Sequence, residues 1–465
     1  MELTVWSLVS DLGIICALLV IAQILRAKVR LLQMSFLPAS ITAGLLGLLL
    51  GPNVLDVLPF SEVVGQYPGV LIVLIMSAVP LGHALRGGRR VAARVGALYS
   101  YSQAGEVFMW GLGLALGLAL LGPLFGVPDG FGLLLALGWA GGFGTAAAAG
   151  SAFEERGWAE ATSLGYTAAT MGVLVCIVGG LILTKWAARR GTAGVLTRFD
   201  ELPTELRTGV VPEAERRSIG TGTLSPSSLE SLTLHLGLIL IPAVAGYWLG
   251  RYLSGLWPEI SIPVFALGFV AGLALQGLIT VTRTGRHVDR ETITTLSGTF
   301  SDLLVAFAIT SIVPRVVADN AVPLAVLLLF GLAYCVVLLL FVTPVFFRRR
   351  WYERGIFTWG WMTGSVATGL ALLRIVDPRN RSRTLEDFGL AYLGVAPVEI
   401  LLITSAPIVV TAGYAWGLAG ACLAFGVVTL VVARVLGWWG VPADDVPGES
   451  VPGESAPAPS QEVQQ

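Results

Sequence analysis

Long apolar runs separated by short polar stretches dominate the chain. Runs near 5–25, 37–52, 67–85, 96–122, 161–184, 229–250, 262–280, 294–314, 321–346, 388–411 and 413–437 are each predicted to be a membrane-crossing helix. About 20 apolar residues span a hydrocarbon core roughly 30 Å thick. Two further segments, 131–152 and 355–374, are apolar enough to enter a membrane but are crowded with Gly, Ala, Ser and Thr. No Lys or Arg precedes the first run and no cleavage site follows it, so a retained span is expected there rather than a signal peptide. The polar stretch 191–228, with Pro203, Pro212 and Pro226, is expected to be a cytoplasmic linker between two membrane halves, 1–190 and 229–412. A further span lies within 413–440, and the tail 441–465 carries VPGES twice. That tail has too little apolar surface to fold and is expected to be disordered.

Composition narrows the fold class to an all-α integral membrane protein. Hydrophobic residues make up 55% of the chain and charged ones 13%, against about 25% charged in an ordinary globular domain. A net charge of −1 gives no reason to expect a nucleic-acid partner. Cys16, Cys176, Cys335 and Cys422 lie in apolar runs without CxxC spacing, which reads as buried free thiols.

Positive charge fixes an orientation, because cytoplasmic loops collect Lys and Arg. With the N-terminus outside and both Gly-rich segments re-entrant, 26 of the 29 basic residues fall inside. Only Arg156, Arg251 and Arg315 are left outside. With both segments crossing fully, the split is 15 inside and 14 outside. Re-entrant segments are therefore expected at 131–152 and 355–374. Irregular backbone survives at membrane depth only where it is buried in protein or lines a cavity.

The two halves resemble each other. Leu37-Pro38 opens LPASITAGLLGLLL and Ile262-Pro263 opens IPVFALGFVAGLAL. Gly138-Trp139 opens GWAGGFGTAAAAG and Gly360-Trp361 opens GWMTGSVATGLAL. Pro38 and Trp139 are 101 residues apart, and Pro263 and Trp361 are 98 apart. The expected architecture is an inverted repeat of two five-helix halves, each with a Gly-rich re-entrant loop, plus one extra C-terminal helix. Opposed repeats with broken segments near the midplane are a pattern of secondary transporters.

The run GGFGTAAAAGSAFEERGWAEATSLGYTAATMG at 141–172 resembles the bacterial sodium/glutamate symporter family. The resemblance covers roughly 5–190 and 229–412. It implies import of glutamate or a similar small carboxylate across the bacterial inner membrane, with Na+ as the coupling ion and no other cofactor. It also implies an elevator-like motion. Phe143 stands where the family has His, and the second loop reads MTGSVATG. A homodimer surrounded by membrane lipids is the expected assembly.

Candidate chemistry follows from the loops. Gly lets the chain turn sharply, and a half-helix beginning there presents free N–H groups and a positive dipole end to an anion. Gly141, Gly142, Gly144 and Thr145 are the substrate-binding candidates of the first loop, and Thr363, Gly364, Ser365 and Thr368 those of the second. Acids inside a membrane are costly and usually functional, so Glu106, Asp302 and Glu399 are candidates for ion binding or coupling. Each could instead be a quiet structural carboxyl. Asp11 lies near an outer end and is expected to be wet. His83, His235 and His287 lack metal-ligand spacing and read as structural, and no transition-metal site is expected.

A channel or facilitator for a small solute is the alternative function, since opposed re-entrant loops also occur in water channels. The chain lacks NPA. It also lacks HExxH and any nucleophile–base arrangement, so an enzyme is not expected.

Overall fold

The computed structural model describes residues 4–35, 37–81, 89–190, 204, 208–213, 216, 218–256, 264–348, 350–377 and 382–440. The tail 441–465, half of the linker, His83 and the Ile262-Pro263 landmark lie outside the described residues. The chain is all-helical, without strands among the described residues. The main helices are α1 Val5–Lys28, α2 Ala39–Leu50, α3 Tyr67–Ala78, α4 Arg89–Leu116, α5 Leu134–Gly138, α6 Gly142–Glu154, α7 Ala161–Arg189 and α8 Ser231–Leu256. They continue as α9 Val264–Val281, α10 Arg290–Thr310, α11 Ala321–Val337, α12 Trp351–Thr363, α13 Val366–Val376, α14 Thr384–Val409 and α15 Ala415–Val435.

Among the described residues, eight helical stretches are long and apolar enough to cross a membrane. The sequence predicts eleven, and the difference has local causes. Helices α2 and α3 have 12 residues each, or about 18 Å at 1.5 Å per residue. Their apolar runs continue past the helix ends, into Gly51-Pro52 after α2 and toward Pro80 after α3, and proline cannot extend a helix ladder. Helices α14 and α15 form one continuous helical stretch of spanning length, interrupted at Gly413, whose φ is +87°. That left-handed conformation suits Gly and lets the chain reverse there.

Proline also explains two irregular turns. Helix α4 continues through a π turn at Gly117–Leu121 into Pro123, and α11 through one at Leu338–Val342 into Pro344. In each case the residue before the proline donates to the carbonyl five residues back, Gly122 to Gly117 and Thr343 to Leu338.

Small residues set the registers. Ser40 lies beside Asp302, Gly44 against Ala306 and Ile309, and Gly47 against Thr310. Helices α2 and α10 therefore run side by side in the same direction. Gly268 meets Val73 and Ser77, and Gly272 meets Ser77 and Pro80, so α3 and α9 are also parallel. Gly394 meets Tyr99, and Glu399 lies near Glu106, so α14 runs parallel to α4. Gly96 meets Trp438 and Gly111 meets Leu423, which makes α15 antiparallel to α4. Close glycine contacts of this kind drive helix association where water cannot.

The helices form two groups. Helices α1–α3 pack with α8–α10, and α4–α7 pack with α11–α15. The groups meet chiefly where α6 and α7 pass α3 and α10.

Two buried clusters pin the periphery. Asp11 is fully buried rather than wet: it accepts from the Ser61 amide at 2.9 Å, the Ser61 hydroxyl and the Tyr67 hydroxyl at 2.9 Å. It thereby ties α1 to the loop before α3. His235 is buried too, accepting from the Asp289 amide at Nε2 and bonding the Ser231 carbonyl through Nδ1. Asp289 caps α10, and its carboxylate accepts from Thr292 and from the Thr221 amide. Those bonds, the Thr292 hydroxyl foremost, hold its carboxyl below the ordinary value of 3.8. Cys176, Cys335 and Cys422 are buried, whereas Cys16 is exposed on α1.

Candidate functional site: two helix breaks in contact

Each Gly-rich segment folds as a broken helix. In the first, a 3-10 turn at Asp129–Leu133 leads into α5, the chain turns at 139–141, and α6 begins at Gly142. Gly142 has φ +68°, where a side chain would cost roughly 1–2 kcal/mol. No side chain caps α6. In the second, α12 ends at Thr363 and α13 begins after extended Ser365. Ser365 and Thr368 form a reciprocal capping box, a pairing that satisfies two otherwise orphaned N–H groups. The arms of this break lie backbone on backbone, since a Cβ on Gly360 would stand 2.4 Å from the Gly369 Cα.

The two breaks touch. A Cβ on Gly142 would lie 3.4 Å from the Gly364 carbonyl oxygen. Helix α7 passes both: a Cβ on Gly172 would lie 2.4 Å from the Thr363 oxygen and 2.7 Å from the Trp139 ring. One turn further, Cys176 donates its thiol to the Gly360 carbonyl at 3.6 Å, and its backbone carbonyl accepts from the Trp359 indole at 3.1 Å. Gly144 faces Ile72 of α3, so α6 forms the wall between the two helix groups.

All eight residues expected at the substrate site lie at or beside this junction. Their hydroxyls are engaged locally. Thr145 donates to the Gly141 carbonyl at 3.0 Å, Thr363 to the Trp359 carbonyl at 2.7 Å, and Thr368 to Gly360 and Ser365 carbonyls. Thr145, Thr363 and Thr368 are buried, and Ser365 is exposed.

The three acids divide. Glu106 on α4 and Glu399 on α14 are both buried and close enough for their charges to interact, and the Tyr392 hydroxyl donates to Glu399 at 3.0 Å. Asp302 lies apart, on an exposed flank of α10 beside Ser40. An aromatic chain joins the acid pair to the second break: Tyr392 packs on Trp361 and Phe388, and Trp361 stands two residues before Thr363.

Sequence reasoning missed Gly172, Cys176 and Trp139 as junction residues. Gly172 closes the run at 141–172, and its position one helix beyond the first break was the available signal.

A multi-pass helical membrane protein with two broken helices in contact is thus defined by the fold. The sodium/glutamate symporter family model matches residues 5–371. The chain belongs to that family, a transporter family and not one of enzymes. No curated protein matches it. Part of α13 and all of α14 and α15 lie beyond the matched residues.

Proposed function

We propose that the chain is a sodium-coupled secondary active symporter. In this reading it imports glutamate or a related small carboxylate across the bacterial inner membrane by elevator-like alternating access, as a homodimer. The observation that carries the reading is the contact between the two helix breaks in a chain of this family.

The parallel registers support re-entrant segments. If 131–152 crossed the membrane, α2 would oppose α10 and α3 would oppose α9. Both pairs run parallel instead. With the first segment re-entrant, the parallel pairing of α4 and α14 argues likewise for 355–374. The matched π turns before Pro123 and Pro344 support an inverted repeat. The grouping of α4–α7 with α11–α15 supports a unit carrying both breaks past the remaining helices.

The junction suits a carboxylate. No Lys or Arg occurs in 139–153 or 355–373, so an anion there must rely on backbone. The uncapped start of α6 presents unpaired N–H groups, and a helix N-terminus is worth roughly 0.3–2 kcal/mol to an anion. The assigned substrate site is Gly141, Gly142, Gly144, Thr145, Thr363, Gly364, Ser365 and Thr368. Because the three threonine hydroxyls already serve neighbouring carbonyls and the Ser365 hydroxyl caps α13, they shape the breaks and the backbone N–H groups hold the ligand. Counterflow of labelled glutamate in proteoliposomes tests the carrier reading. Exchange that accelerates with unlabelled glutamate inside supports it, and flux indifferent to internal substrate points to a channel.

A further inference from the structure

The acid pair sits in a group of polar atoms that protein contacts leave unsatisfied. On α4, Ser102, Gln103 and Glu106 are essentially inaccessible, at 0%, 0% and 1% exposure. The Ser102 hydroxyl, both amide atoms of Gln103 and both carboxyl oxygens of Glu106 have no hydrogen-bond partner. The Trp110 indole approaches Glu106 without reaching hydrogen-bond geometry. Buried polar atoms are nearly always paired, and exceptions call for an explanation such as an ion. At 3.6 residues per turn, positions 102, 103 and 106 share an arc of about 100° on one helix face. Tyr99, on the same face, packs against Gly394 of α14, so the arc addresses the helix that carries Glu399.

We infer that Ser102, Gln103, Glu106 and Glu399 form a sodium site in the α4–α14 interface, separate from the backbone junction that takes the substrate. This rests on the symporter reading and adds the ion's location. The donor set is oxygen throughout: a hydroxyl, an amide carbonyl and two carboxylates. A hard cation without directional preference takes such a set. Glu106 supplies two free oxygens and Glu399 the second charge, steadied by Tyr392. The site also has a route to the substrate. Gly105 packs against Met362, the residue before Thr363, and Tyr392 packs on Trp361. Filling the site draws α4 and α14 together beside the second break, so the ion sets the geometry of the break that the carboxylate meets.

The test combines binding and transport. Purified protein in detergent, without substrate, is titrated with radiolabelled sodium. Glutamate uptake is measured in proteoliposomes as a function of sodium at saturating glutamate. Losing a charged ligand should weaken sodium about 10- to 100-fold in Glu106→Gln and in Glu399→Gln. Gln103→Ala, which leaves the charge intact, should weaken it about threefold to tenfold. Glutamate half-saturation at saturating sodium should stay within about twofold of the parent, a difference of less than 0.5 kcal/mol. Glu106→Asp and Gln103→Ala carry the test if the Gln variants fail to fold. Sodium binding and activation unchanged in Gln103→Ala and in a folded Glu106 variant would overturn the site while leaving sodium-coupled symport standing. Variants that alter the pH dependence of uptake but not sodium binding would also overturn it and assign the pair to a proton. Parent uptake indifferent to sodium would defeat the symporter reading itself.

Discussion

Gly172→Ala should cripple transport while the protein still folds. The added Cβ would stand 2.4 Å from the Thr363 oxygen, and real Cβ atoms essentially never come within 3.0 Å. Either α7 or the second break must therefore retreat by at least 0.6 Å, the difference between those two distances. The Trp139 ring, 2.7 Å away on the opposite break, blocks escape on that side. Overpacking a fitted interior costs about 1–3 kcal/mol, equivalent to roughly 5- to 150-fold in an equilibrium or rate. Two substitutions separate the site from general damage. Gly157→Ala, at φ +98° with nothing within 4 Å, carries backbone strain of roughly 1–2 kcal/mol away from the junction. Gly13→Ala meets nothing within 4 Å and carries no such strain. Initial rates of glutamate uptake per folded molecule, alongside thermal unfolding, read the outcome. The expected pattern is a loss of about 5-fold or more for Gly172→Ala, lowered unfolding temperature but normal uptake for Gly157→Ala, and no loss for Gly13→Ala. Parental uptake by Gly172→Ala would refute contact of the breaks as the working geometry.

Single cysteines at Ala159 and Arg286 check the orientation: the first should react with an impermeant thiol reagent only from outside and the second only from inside, and reversed labelling would mean that the first Gly-rich segment crosses. Arg354 and Asp387 form a buried ion pair at 3.3 Å, with the guanidinium over Phe347, so Asp387→Ala should lower stability by about 3–5 kcal/mol in thermal unfolding. Asp289→Ala removes the cap of α10 and should cost about 1 kcal/mol. Because the folded state holds the Asp289 carboxyl below its ordinary 3.8, its contribution is full above that value and fades as pH falls through the lower folded value. The difference in unfolding temperature between parent and Asp289→Ala should therefore shrink only in that acid range.

Much of the fold was legible because composition and charge act on whole segments. The Gly- and Ala-rich stretches at 131–152 and 355–374 stood out from the Leu- and Val-rich spans, and loop arginines weighed on their topology. Span length was less legible. An apolar run does not reveal that a helix stops at Gly51 or reverses at Gly413, where backbone conformation decides. Pairing across the bundle was least legible. Glu106, Asp302 and Glu399 look alike as single acids in apolar runs, and only packing separates the buried pair from Asp302. Ser102 and Gln103, one turn before Glu106 in SYSQAGE, were a visible sign of a polar helix face. Asp11 gave no sign of its partners, since Ser61 lies 50 residues away in a loop.

Glutamate uptake into proteoliposomes under an imposed sodium gradient tests sodium-coupled symport most directly. The expected result is accumulation of glutamate above its external concentration when sodium is high outside, abolished by a sodium ionophore and absent in sodium-free buffer. Full accumulation in sodium-free buffer under a pH gradient alone, or no accumulation of any amino acid or dicarboxylate under the sodium gradient, would contradict it.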